Sequence, residues 1–223
     1  MDKPHRQLAW KLFFNAVAQM SPEDAVQILA PILKKASGQA EDHMRLSPET
    51  ALLLVIDVQE KIFATMHEEV ETEENINRIV AGAKILKLPI IWTEQYPRGL
   101  GPTIASVQEL LKDNEKLEKI AFSCLGDAAV KESLRTHNRK QVLVCGIEAH
   151  VCVYQTVVDL VEEGYDVHLV TDATMSRKES NYRLAVTKMG RMGAQLTSVE
   201  MALFELQRVA KGDTFKAIAG TIK

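Results

Sequence analysis

The chain has 223 residues, 46% of them apolar, and a formal net charge of −3. That size suits one sizeable α/β domain with some extra chain, and the acidic balance argues against a nucleic-acid partner held by charge. No segment reaches the roughly 18 consecutive apolar residues of a membrane span, and Cys124, Cys145 and Cys152 form neither a disulfide framework nor a zinc pattern, so a reducing compartment, by default the cytoplasm, is expected.

Residues 1–48 read as a separate helical arm. Between Gln7 and Met20, Ala9, Phe13, Val17 and Met20 fall at helical spacing, with Trp10 and Phe14 beside them. Lys11 and Asn15 interrupt the apolar run and Asp2 precedes it, which favours an amphipathic helix over a targeting peptide. Ser21-Pro22-Glu23-Asp24 reads as an N-cap, a proline at the first helical position and an acidic first turn. The second helix is expected to run to about Lys35, kinked at Pro31. A polar stretch, Ser37 to Ser47, links this hairpin to a domain over 49–223. The apolar face of the hairpin needs cover, either from its own domain or from a partner subunit in a homo-oligomer.

From Ala51 the pattern changes to short apolar runs alternating with helical stretches. Runs are found at 51–56, 89–93, 142–145, 166–170 and 194–198, and helical patterns at 73–87, 127–137, 151–163, 179–192 and 199–208. Uninterrupted apolar runs suit strands buried on both faces of a parallel sheet, and this alternation predicts a three-layer α/β/α sandwich with a mostly parallel central sheet.

Ligands in such sheets bind beyond the carboxyl ends of the strands. Asp57, the segment Thr93-Glu94-Gln95-Tyr96, the segment Glu148 to Cys152, and Asp172 all follow predicted strands and are expected to meet at one crevice. Within it, Cys152 follows a glycine turn where a helix should begin. A helix N-terminus carries partial positive charge and free N–H groups, which lower a thiol's pKa and can receive an oxyanion. A thiol nucleophile needs a base, and Asp57 is placed to serve. Lys119 could supply a cation beside it. The bland alternatives are a buried structural thiol, a capping aspartate and a surface lysine. Asp172 reads as a strand-end brace and His150 as a capping or solvent-side residue that nonetheless lines the region.

Three blocks carry a family resemblance: Leu53-Leu54-Val55-Ile56-Asp57-Val58-Gln59, then Lys119 before Phe122-Ser123, then Gly146-Ile147-Glu148-Ala149-His150-Val151-Cys152-Val153. Together they resemble the isochorismatase-like cysteine hydrolases over about residues 50–210. The stretch from Thr93 to Thr103, with Glu94-Gln95-Tyr96-Pro97 at its head, is similar to the branch holding the isochorismatase domain-containing proteins. The resemblance implies a triad of Asp57 as base, Lys119 as electrostatic partner and Cys152 as nucleophile. It implies a cis peptide between Ile147 and Glu148, and an oxyanion hole from the backbone N–H groups of Glu148 and Cys152. Gln95, Tyr96, Phe122 and His150 are candidates for a small-molecule substrate pocket. Nicotinamidases of this superfamily hold a metal with histidines after the second strand; here that segment has none, so neither a metal nor another cofactor is expected. The activity implied is hydrolysis of a small carboxamide or related acyl compound through a thioester. The alternatives are vinyl ether hydrolysis of the isochorismatase type, or an idle scaffold that binds partners.

Overall fold

Ala51–Ile56 forms strand β1, and each of its six residues is at most 2% exposed. A strand covered on both faces has no use for polar alternation, which is why the sequence shows an unbroken apolar run. The computed structural model describes residues 45–222 together with Met20, Ser21 and Asp24. Ser21 Oγ accepts the Asp24 N–H at 3.2 Å, an N-cap contact. The rest of the expected helical hairpin lies outside the described residues.

Arg45–Lys223 is a compact unit with its own core. That core starts ahead of residue 49: Leu46 is fully buried, and its N–H and carbonyl are bonded to Glu205 and Arg208. Six strands build the sheet: β1, β2 (Ile90–Gln95), β3 (Glu115–Lys119), β4 (Gln141–Ile147), β5 (Asp166–Met175) and β6 (Gln195–Thr197). Their order is β3-β2-β1-β4-β5-β6, and every neighbouring pair is parallel.

Side chains alternate between the two faces of β1. Leu53 and Val55 pack against α2 (Glu69–Ile85), α4 (Ala105–Leu111), α8 (Val199–Gln207) and α9 (Gly212–Ile222) through Ile76, Ile79, Val107, Leu203 and Ile218. Leu52, Leu54 and Ile56 face α5 (Ala128–His137), α6 (Tyr154–Glu162) and α7 (Glu179–Arg191) through Leu134, Val157, Leu160 and Met189. Two further short helices, α1 (Glu60–Phe63) and α3 (Pro97–Leu100), follow β1 and β2. The result is the expected three-layer sandwich. Strand β3, absent from the sequence reading, is an addition to it, as are α4 and α9.

The chain reverses its winding direction between β1 and β4, the switch point at which open α/β sheets leave a crevice. The two strands approach closely there because Gly146 has φ +117° and no side chain. A Cβ at that position would lie 2.1 Å from the Ile56 carbonyl oxygen. All three cysteines are free and buried. Among the described residues, no helix is long and apolar enough to cross a membrane.

Candidate active site

Four strand ends deliver the site. Asp57 follows β1 in the left-handed region, φ 52°, with its N–H on the Thr93 carbonyl at 3.1 Å. Gln95 ends β2, Lys119 ends β3, and Cys152 lies in the turn after β4. Aspartate tolerates a positive φ better than most residues, and this one turns its carboxylate back under the sheet end, where it is 0% exposed.

Asp57 is held by two neighbours. The Thr93 hydroxyl donates to Oδ1 at 2.7 Å, and the Lys119 ammonium donates to Oδ2 at 2.6 Å. Lys119 Nζ also reaches Gln95 Oε1 at 2.8 Å and the carbonyls of Phe122 and Ala121 at 3.1 and 3.2 Å. An ammonium has three protons, so four acceptors meet all of its donors. Burial is the largest single influence and works to lower the Lys119 pKa, but the charges around it, Asp57 first, together with the Asp57 hydrogen bond outweigh it, and the net shift is upward. The lysine is therefore a fixed cation.

Cys152 Sγ donates to Gln95 Oε1 at 3.9 Å, and the Asp57 carboxylate is close enough for its charge to act on the thiol. Its environment corrects one expectation. Burial, followed by the Asp57 charge, lifts the thiol pKa well above its ordinary value, and Lys119 only partly offsets them. A helix terminus alone would lower it, but a buried carboxylate stands beside the sulfur, and α6 itself begins two residues later, at Tyr154. The resting residue is a thiol beside a carboxylate, not a standing thiolate.

The turn that carries Cys152, Ala149–Val153, is a single π-helical turn that leads into α6. The Ile147–Glu148 peptide is cis. Val151 and Val153 donate to the Glu148 carbonyl at 3.0 and 3.3 Å, and the Cys152 N–H between them takes no part in that pair. Thr156, in the first turn of α6, donates to the Cys152 carbonyl at 2.7 Å and accepts the Cys124 N–H at 2.9 Å.

The remaining candidates divide. Tyr96 and Phe122 are 51% and 53% exposed on the two loops that flank Lys119, and Tyr96 donates its N–H to the Lys119 carbonyl at 2.9 Å. His150 is engaged elsewhere, by Ser176 at 3.0 Å and Asn181 at 3.3 Å. The buried Glu148 carboxylate accepts the Arg177 backbone N–H and Nε, both at 3.1 Å. Asp172 does not join the group: its Oδ1 accepts the Val199 N–H at 2.9 Å and caps α8.

Three supporting residues lie in segments the sequence brings to the crevice but carry no role assigned from it. Thr93 fixes Asp57, and its signal was available, since a threonine ending an apolar run beside the strand of Asp57 can point the same way. Gln59 is fully buried and clamps the Gln95 backbone from both sides, at 2.7 and 3.1 Å. Glu94 accepts the N–H and hydroxyl of Thr103 at 2.8 and 3.0 Å and meets Lys116 at 3.2 Å. No spacing rule announces contacts of that range. Among the described residues, no three His, Cys, Asp or Glu side chains are grouped to hold a metal.

Comparison with known proteins follows the same lines. The family model of the isochorismatase domain matches residues 51–201. The secreted isochorismatase effector Isc1 of Phytophthora sojae is 39% identical over 184 residues, covering 80% of this chain and 87% of its own. Isochorismatase domain-containing protein 2 of Danio rerio is 38% identical over 176 residues, 78% and 87% of the two chains. Among solved structures, the MAR1 ribonuclease of Caenorhabditis elegans superposes with a TM-score of 0.76 at 35% identity, covering 80% and 92%.

Proposed function

This chain belongs to the isochorismatase family of hydrolases, and on that footing we propose that it is a metal-independent cysteine hydrolase of small carboxamides or related acyl compounds. What carries the reading is a buried thiol beside a buried carboxylate that is itself paired with a buried ammonium at 2.6 Å. A carboxylate so held is an acceptor for the thiol proton at the moment of attack, so a standing thiolate is not required.

In the proposed cycle Asp57 takes the Cys152 proton as sulfur bonds to the substrate carbonyl carbon. The C=O pair moves onto oxygen, where the N–H groups of Glu148 and Cys152 receive it. The oxyanion collapses, the C–N bond breaks, and the amine leaves with the proton from Asp57. Water then adds to the thioester, giving its proton to Asp57. The acid departs and sulfur recovers the proton. Lys119 keeps its charge throughout and steadies Asp57.

The ribonuclease name of the nematode relative suggests another chemistry. A phosphodiester needs cations free to meet its charge, whereas Lys119 is already met by Asp57 and three neutral oxygens and the chain is net acidic. The test is a screen of amides and esters with mass detection of an acyl adduct on Cys152. Turnover should accompany the adduct, and Cys152→Ala should lose both. Near-normal turnover by Cys152→Ala on the same substrate would refute the assignment.

A further inference from the structure

Gln95 is fixed at both ends. Its backbone is clamped by Gln59, whose amide also donates to the Gly101 carbonyl at 2.6 Å. Its side-chain Nε2 donates to the Ile120 carbonyl at 2.6 Å, and its Oε1 accepts from Lys119 at 2.8 Å. A carbonyl only accepts and an ammonium only donates, so these two partners allow one orientation of the amide. The oxygen thereby stands 3.9 Å from the Cys152 sulfur. Gln95 joins the cation to the nucleophile, and unlike Asp57 it does so without charge.

We infer that Gln95 is a positioning residue for proton transfer from Cys152 to Asp57, and that its neutrality is the property that matters. This rests on the base and nucleophile roles given to Asp57 and Cys152 above. The amide oxygen holds the ammonium toward Asp57 and gives the thiol a neighbour too weakly basic to compete for its proton. A carboxylate of the same shape would share Lys119 with Asp57. It would put a second carboxylate on the site, and two carboxylates on one site resist ionising together. The base would then work only at higher pH.

The experiment needs no natural substrate. Full-length wild type, Gln95→Glu, Gln95→Ala and Asp57→Asn are treated with iodoacetamide across pH 4–9, and the rate of Cys152 alkylation is followed by peptide mass spectrometry. Thermal melts confirm that each variant is folded. Gln95→Glu should move the rise of the rate upward by about one pH unit or more. Gln95→Ala should leave the rise where it is and lower the plateau roughly tenfold, the loss of one hydrogen bond to a charged group. A residue that only lines a pocket or braces a loop would move neither. Gln95 variants that match wild type in both, while Asp57→Asn abolishes the assisted rate, overturn the role of Gln95 alone. An Asp57→Asn rate equal to wild type removes the base reading, and the role of Gln95 with it.

Discussion

The Asp57–Lys119 pair is fully buried at 2.6 Å. Removing two charges from water costs several kcal/mol per ion, which the Thr93, Gln95, Ala121 and Phe122 contacts offset. Breaking one side leaves the other charge stranded. Asp57→Asn and Lys119→Met should each destabilise the fold by about 3–5 kcal/mol, whereas the double variant should recover most of that loss, because no lone charge remains. Urea unfolding of the four proteins measures this cycle. Additive losses in the double variant would mean that the two groups are not coupled. Stability and chemistry separate here, since the double variant should still fail to alkylate Cys152 at an assisted rate. At this scale the sequence was legible where a strand end coincides with chemistry. Asp57 closes an apolar run, and Cys152 follows a glycine. Lys119 gave no such sign, because Lys112 and Lys116 precede it at helical spacing and only the family resemblance separated it from them.

Strand β3 shows why. Glu115-Lys116-Leu117-Glu118-Lys119 lies at the sheet edge, and only Lys119 in it is buried. Edge strands are commonly guarded by charge against pairing with other chains, so the composition that protects this edge also conceals it from a search for apolar runs. The β2 run was read as ending at Thr93, yet the strand continues to Gln95. Pairing with β3 extends it through polar residues. Strands β1 and β4 were legible because burial on both faces leaves them apolar throughout. Their closeness was not, although one residue records it. A methyl group on Gly146 would meet backbone, which has no rotamer to yield, and the φ of +117° is unfavourable to any side chain. Gly146→Ala should therefore cost about 3 kcal/mol or more, from overpacking and backbone strain together. It should also part β1 from β4 and carry Asp57 away from Cys152. A Gly146→Ala protein with the wild-type melting temperature and alkylation rate would contradict this account of the crevice.

For the molecule as a whole, alternation of runs announced the layers but not the strand order. Order is a matter of crossover direction, which no single segment carries. The order places the winding switch between β1 and β4, so residues almost a hundred positions apart share one crevice. It also buries all three thiols, and that has a consequence for stability. Burial raises the Cys124 pKa to about 11, with the Asp57 charge adding to it, and Cys145 and Cys152 are raised further. In the unfolded chain a thiol ionises near 8.5. The folded state holds these protons more tightly, so their contribution is complete below about pH 8.5 and drains away as pH climbs through the folded values. For Cys124 the window runs from about 8.5 to 11, and its share is on the order of 3–4 kcal/mol at one pKa unit per 1.36 kcal/mol. Cys124→Ala should be less stable than wild type at pH 7, because it leaves a cavity in the packed layer. It should lose less on going to pH 10.5, so the two stability–pH curves converge. Unfolding free energies at pH 7, 9 and 10.5 decide the matter. Parallel curves would show that the Cys124 proton is no more tightly bound in the fold than in water, and that the interior beside Asp57 is wetter than its burial implies.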